Sequence, residues 1–284
     1  MRLALILFIF IVLGCSNDSK NIDQFKLLPT VQNFTFNEGF SNLNHNNINY
    51  AFSNNNDQLP ILYDFTNHIS NSNKNEASIH YVINNDLELE SEGYIINILK
   101  NKISIEAKDK QGLFYAFITL DQMLEDSKAN NTNLPLLTIK DFPSLKFRPI
   151  HIDVKHHLEK KYYYFNLIDH LAKQKINGII VEFEDKLKYQ LRPEIGAPSA
   201  LEIDWWIELS DYAIQRNIMI NPLVQGLGHA SFILKHDKYK HLRDVPNSDW
   251  AFNPLNPKTY ELQFDLYLDA IRAVSYTHLR AHET

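Results

Sequence analysis

The chain has 284 residues, 44% of them hydrophobic and 22% charged, an ordinary globular composition with room for one large core or two modest ones. Its formal net charge is -6, and no stretch gathers lysine and arginine into the basic stripe that displaces counterions from phosphate, so nucleic acid is excluded as a partner. Cys15 is the only cysteine, which excludes intramolecular disulfides and a cysteine-based metal site or nucleophile in the body of the protein.

Arg2 followed by the apolar run Leu3 to Leu13 has the form of a signal peptide, and that run is too short to span a bilayer. Val12-Leu13-Gly14-Cys15 resembles the lipobox of bacterial lipoproteins. The resemblance implies that residues 1–15 are a lipoprotein signal peptide and that Cys15 is lipidated, holding the protein on a membrane of the bacterial cell envelope, facing periplasm or cell surface. Each buried methylene of such an anchor contributes roughly 0.8 kcal/mol. Residues 16–58 are rich in Asn and Ser and are expected to be a tether, within which Phe34, Phe36 and Phe40 could form an early edge strand.

From Leu59 the pattern tightens. Ile61 to Phe65, Ala77 to Ile83, Tyr94 to Leu99 and Lys102 to Ala107 are short apolar or alternating runs, the last two reading as a hairpin split by Lys100-Asn101. Gly112 to Leu124 places Leu113, Phe114, Phe117, Leu120 and Met123 at helical spacing. Residues 59–144 are therefore predicted to be an α+β unit, one helix laid across a small sheet, with no titratable cluster.

Residues 145–273 follow a different rhythm. In Ile150-His151-Ile152-Asp153-Val154 a strand would place His151 and Asp153 on one face and the apolar residues on the other. Tyr162 to Lys175 is an amphipathic helix, and Gly178 to Val181 a buried strand running into Glu182, Glu184 and Asp185. Ser199 with Glu202 has the form of a capping box opening a helix to about Arg216, and Ile218 to Gln225 is a third strand ending in the turn Gly226-Leu227-Gly228-His229. Pro257 to Ala273 is a last helix. Alternation of this kind predicts a parallel sheet, and the spacing fits about the first three βα units of a (β/α)8 TIM barrel, whose chemistry sits at the carboxyl ends of the strands.

Two sets of motifs resemble the family 20 glycoside hydrolases, the β-N-acetylhexosaminidases. The hairpin, Gly112-Leu113-Phe114-Tyr115-Ala116, Thr119-Leu120-Asp121-Gln122 and the Asp141-Phe142-Pro143 run into the first barrel strand resemble the non-catalytic domain that precedes the family's barrel. His151 to Lys155, the Glu182-Phe183-Glu184-Asp185 strand end and Pro222-Leu223-Val224-Gln225 leading to Gly228-His229 resemble its hexosaminidase D-type branch. The resemblance implies an exo-acting enzyme that removes terminal N-acetylglucosamine or N-acetylgalactosamine by retaining hydrolysis without a cofactor, the substrate's own acetamido oxygen acting as nucleophile.

The resemblance also implies roles. Arg148 would grip hydroxyls of the terminal sugar, Glu182 and Glu184 would line the pocket, and Asp185 and His229 would lie beside the general acid and help set its protonation. On residue type alone, Arg148 could equally form an ion pair between domains, Asp185 could cap a turn or helix, His229 could be a satisfied turn histidine, and a glutamate could pair with Lys186 or Lys188. His156 and His157 are adjacent and lack metal-ligand spacing, and Trp205-Trp206 is expected to pack a helix against the sheet.

The family's Asp-Glu catalytic pair has no counterpart, because the chain contains no Asp-Glu dipeptide. A full barrel takes roughly 250 residues, and Val274 to Thr284 resembles translated sequencing-adapter read-through, so 274–284 is expected to be an artefactual tail and the chain to be truncated before the catalytic pair. His278 and His282 fall in that tail. The alternatives to the enzyme reading are a non-catalytic glycan-binding envelope lipoprotein and another glycosidase of the same two-domain plan.

Overall fold

The computed structural model describes residues 24–50, 70–71 and 78–274, so the expected signal peptide with Cys15, the predicted strand Ile61 to Phe65 and the expected tail with His278 and His282 lie outside the described residues. The chain divides into two compact units, with the boundary between Phe142 and Pro143.

The first unit is a mixed sheet of seven strands among the described residues, in the order β1-β7-β5-β6-β4-β2-β3: β1 (Asn33–Phe40), β2 (Asn49–Tyr50), β3 (Ser70–Asn71), β4 (Ile79–Ile83), β5 (Tyr94–Ile98), β6 (Ile103–Ala107) and β7 (Pro135–Asp141). Alternation sets which face is covered. Tyr94, Ile96, Ile98, Ile103, Ile105, Leu137 and Ile139 are all buried, as are Leu113, Phe114, Phe117 and Leu120 of helix α1 (Lys110–Ala129). Asp109 caps that helix by accepting from the Gly112 amide at 2.7 Å, and Gly112 must be glycine because a Cβ there would stand 2.5 Å from the Gly93 carbonyl oxygen.

Two expectations change here. Within the stretch expected to be a tether, Phe34, Phe36 and Phe40 do lie on an edge strand: β1 pairs antiparallel with β7, and upstream of it the Leu28 amide donates to the Gln122 side chain at 3.0 Å. Its strand pattern is weak because most of β1 is exposed, so hydrogen bonding to β7 rather than burial defines it. The unit also contains a buried polar cluster: the Tyr94 hydroxyl lies 2.6 Å from the Thr119 hydroxyl and donates to Asp141 at 2.7 Å, and Asp141 accepts the Gln32 amide at 3.0 Å. Burial, with the Asp141 charge, pushes the Tyr94 hydroxyl well above its ordinary pKa, so it stays a donor.

The second unit holds three parallel strands in the order β10-β9-β8: β8 (Pro149–Asp153), β9 (Gly178–Glu182) and β10 (Met219–Leu223). Between them run α2 (Lys161–Lys173) and α3 (Ile203–Ile214), followed after β10 by the short α4 (Ser231–Leu234) and by α5 (Pro257–Val274). Ile152, Val154, Ile179, Val181 and Ile220 face an apolar layer with Ile168 and Trp206, so the helices cover one side of the sheet. Trp205 and Trp206 are buried in that layer, Trp206 meeting Phe183 edge-on at 4.7 Å between ring centroids. This is the arrangement of consecutive βα units in a barrel.

The helix predicted to open at Ser199 begins at Ile203. Leu201 bridges to Leu187 in parallel, and the Glu202 carboxylate turns to Lys188 at 2.5 Å instead of capping the helix. Replacing Tyr94 with Phe removes the donor to a buried carboxylate and is expected to cost about 1–3 kcal/mol in the first unit. The check is amide hydrogen exchange, in which β5 and β7 should lose protection while β8 to β10 keep theirs.

Candidate active site

In parallel register Asp153, Glu182 and Leu223 share one row at the carboxyl ends of β8, β9 and β10. His151 and Asp153 occupy the face of β8 opposite Ile152 and Val154, as the alternation predicts. Residues just beyond these strand ends converge on Glu182, whose side chain is only 4% exposed.

Lys155, two residues past β8, donates to Glu182 Oε1 at 2.7 Å; His151 Nε2 stands 3.2 Å from Oε2; and Gln225, two residues past β10, also donates to Oε1. One buried carboxylate at the end of β9 is thereby bonded from the neighbouring strands β8 and β10 or their extensions. Burial pushes the Glu182 pKa up, but the hydrogen bonds from Lys155 and Gln225 and the Lys155 charge outweigh it and hold the carboxyl below its ordinary value. The hydrogen bond to Glu182 raises the Lys155 pKa in turn.

Glu184 behaves in the opposite sense. Its pKa is raised, first by burial and then by the neighbouring Glu182 and Asp185 charges, although Lys155 lies 3.6 Å away. Two carboxyls pushed in opposite directions give the site one fixed acceptor and one group nearer to carrying a proton. Glu184 also has a φ of 42°, and His229 one of 55°, so the turns after β9 and β10 each hold a non-glycine residue in left-handed backbone. Asp185 binds Lys186 and sits 3.5 Å from Lys235 Nζ, while the His229 ring packs on Trp250 at 4.3 Å between centroids.

Arg148 is not in this group. It precedes the first residue of β8, and its guanidinium donates to the carbonyls of Lys175 and Leu145, each at 2.8 Å, at the amino end of the sheet. Five residues of strand separate it from Asp153, about 16 Å at 3.3 Å per residue. The described cation nearest the carboxyl-end carboxylates is Lys155. The exposed His156 and His157 pair with Asp153 at 3.9 Å and Glu159 at 2.9 Å, and no group of three metal-ligating side chains occurs among the described residues.

Sequence reasoning did not single out Lys155, Gln225, Lys235 or Trp250. The signal for Lys155 was its position two residues after Asp153, where a long side chain reaches across the strand end. Lys155→Met should destabilise the second unit by about 1–3 kcal/mol at pH 7, because it strands a buried carboxylate. Glu182 has a lowered pKa, so its contribution is present above the ordinary glutamate range and is lost as pH falls through the lowered value. The gap between wild type and variant should therefore shrink at acid pH, as read by urea denaturation followed by tryptophan emission, since all three tryptophans lie in this unit.

Residues 24–142 match the family described as glycosyl hydrolase family 20, domain 2. The chain is 30% identical over 115 residues to hexosaminidase D of Homo sapiens, a match covering 38% of this chain and 23% of that protein. It is 28% identical over 187 residues to beta-hexosaminidase B of Pseudoalteromonas piscicida, covering 54% of this chain and 24% of the other. The crystal structure of the beta-N-acetylhexosaminidase from Bacteroides fragilis superposes with a TM-score of 0.69 at 20% identity, over 87% of this chain and 54% of that one. The exo beta-N-acetylglucosaminidase from Vibrio harveyi, in complex with N-acetylglucosamine, superposes with a TM-score of 0.71 at 18% identity, over 88% and 45%. The chain thus spans about a quarter of the length of these curated relatives and about half of these solved structures. The superpositions give the fold, an α+β domain followed by a TIM-barrel region. Residues 24–142 thus match domain 2 of glycosyl hydrolase family 20, and the chain is similar in sequence and fold to β-N-acetylhexosaminidases.

Proposed function

We propose that the protein of which these residues form part is an exo-acting β-N-acetylhexosaminidase that removes a terminal N-acetylglucosamine or N-acetylgalactosamine by substrate-assisted retaining hydrolysis. The observation that carries this reading is the convergence of Glu182, Lys155, Glu184 and Asp185 at the carboxyl ends of three parallel strands, in a chain whose preceding domain is the family's own. Names of relatives support the substrate class: a chitobiase of Vibrio harveyi and hexosaminidases are among them, and one solved neighbour holds N-acetylglucosamine.

In this reading the charged rim binds hydroxyls of the terminal sugar, and the acetamido carbonyl oxygen attacks C1 as the leaving oxygen takes a proton. A cyclic oxazolinium forms, which water then opens with retention. By the family resemblance, Asp185 and His229 would border the proton donor and hold its charge state. The resemblance calls for an Asp-Glu pair as orienting carboxylate and acid, and these 284 residues contain no such dipeptide. We place that pair in the part of the relatives' length that this chain does not span.

The test is to express the complete reading frame containing these residues and assay aryl N-acetyl-β-glucosaminide against the matching glucoside. Hydrolysis of the first alone is expected, with Asp185→Asn reducing kcat/KM roughly 100-fold. Equal hydrolysis of both would show a glycosidase that does not use the acetamide, and turnover by the 284 residues alone would place the acid within them. For location, we read Cys15 as a lipid anchor on the bacterial envelope; no helix among the described residues is long and apolar enough to cross a membrane. Cys15→Ser should move the protein from the membrane pellet to the supernatant, and unchanged fractionation would remove the anchor from the account.

A further inference from the structure

The turn that carries Glu184 and Asp185 is strained, and the chain that follows it holds the strain in place. Glu184 has a φ of 42°, left-handed backbone that a residue with a side chain adopts only where its surroundings enforce it. The carbonyls of both residues are tied. The Ala197 amide donates to the Asp185 carbonyl at 2.7 Å, and the Tyr189 hydroxyl donates to the Glu184 carbonyl at 3.0 Å. The first is a backbone bond, open to any residue but proline. The second requires a phenol at one position, and Tyr189 is 1% exposed.

Burial and the neighbouring Asp269, Asp185 and Glu184 charges all push the Tyr189 pKa up, so the hydroxyl stays a donor. Its backbone is seated in turn by α5. Asp269 of that helix is 0% exposed and accepts the amides of Gln190 and Leu191, each at 2.8 Å, directly after Tyr189. Desolvating a carboxylate so fully is costly, and here its bonds go to the two amides that fix where the phenol stands. The same loop and helix are joined farther out by Arg192 Nε donating to Asp265 at 2.7 Å, but those side chains are 27% and 30% exposed. We propose that Tyr189, seated by Asp269, is a positioning residue for the sugar site: its hydroxyl holds the Glu184 turn in the conformation that presents the Glu184 carboxyl to hydroxyls of the terminal sugar. The proposal rests on the reading of the strand ends as the terminal-sugar site, and its test separates the two.

Tyr189→Phe keeps the buried ring and removes only the hydroxyl. In calorimetric titration of N-acetylglucosamine into the protein from the complete reading frame, this variant should raise the dissociation constant about 5- to 10-fold. In a Glu184→Ala background the same substitution should change it by less than about 2-fold, because the hydroxyl acts through a side chain no longer present. Arg192→Leu, which cuts the outer tie between the same loop and helix, should stay within about 2-fold of wild type. Equal losses from Tyr189→Phe in both backgrounds would leave Tyr189 a folding role only and overturn the proposal, as would a loss from Arg192→Leu as large as that from Tyr189→Phe. Wild-type affinity in Tyr189→Phe would overturn the proposal alone, whereas a wild-type protein that does not bind N-acetylglucosamine would overturn the reading of the strand ends and the proposal with it. If Glu184→Ala binds too weakly to titrate, the crystal structure of Tyr189→Phe decides: the account expects the Glu184 carboxyl displaced with Glu182 in place, and an unmoved turn would contradict it.

Discussion

The second unit depends on one buried carboxylate. Glu182 ends β9, and every bond it accepts comes from a neighbouring strand or its extension: His151 within β8, Lys155 just past β8, and Gln225 just past β10. Such a charge is expensive to desolvate, and an apolar residue of similar size would hold the sheet as well or better. Its value lies in fixing three strand ends relative to one another, so that the turns after β9 and β10 start from defined positions. Those turns carry Glu184, Asp185 and His229, and two of the three residues have positive φ. Strained backbone at the mouth of a site, over a rigid polar base, is the pattern of a preorganised binding surface.

Much of the fold could be read from periodicity. The alternation in β5 and β6 and the helical spacing in α2 survive in the structure because those elements bury one face, whereas α1 is buried on all sides from Gly112 to Asp121. The failures occur where burial does not set the element. β1 is mostly exposed and owes its existence to pairing with β7, so only Phe34, Phe36 and Phe40 hint at a strand within a stretch that otherwise reads as linker. The start of α3 is displaced because Leu201 is drawn into a bridge with Leu187, a tertiary contact that overrides a local capping signal.

The site was legible at the level of strand ends and illegible at the level of individual partners. Glu182, Glu184 and Asp185 stand out in the sequence because they follow an apolar run, which is where parallel strands expose chemistry, while the roles of Asp185 and His229 come from the family resemblance. The resemblance gives Arg148 a role but no partners; in the structure its guanidinium donates to the carbonyls of Lys175 and Leu145. Lys155 and Gln225 lie in irregular segments, so only the sheet register shows that their side chains meet. Trp250 lies in a loop with no periodicity, and its exposure is visible only in three dimensions.

The central claim is that sugar binds at the carboxyl ends of β8, β9 and β10. The most direct measurement is a crystal structure of the protein from the complete reading frame with N-acetylglucosamine bound. The account predicts the ring over the Glu182-Lys155 pair, with Glu184 or Asp185 within hydrogen-bonding distance of its hydroxyls. Sugar bound at the amino end of the sheet beside Arg148, or bound without contact to any of these four residues, would contradict it.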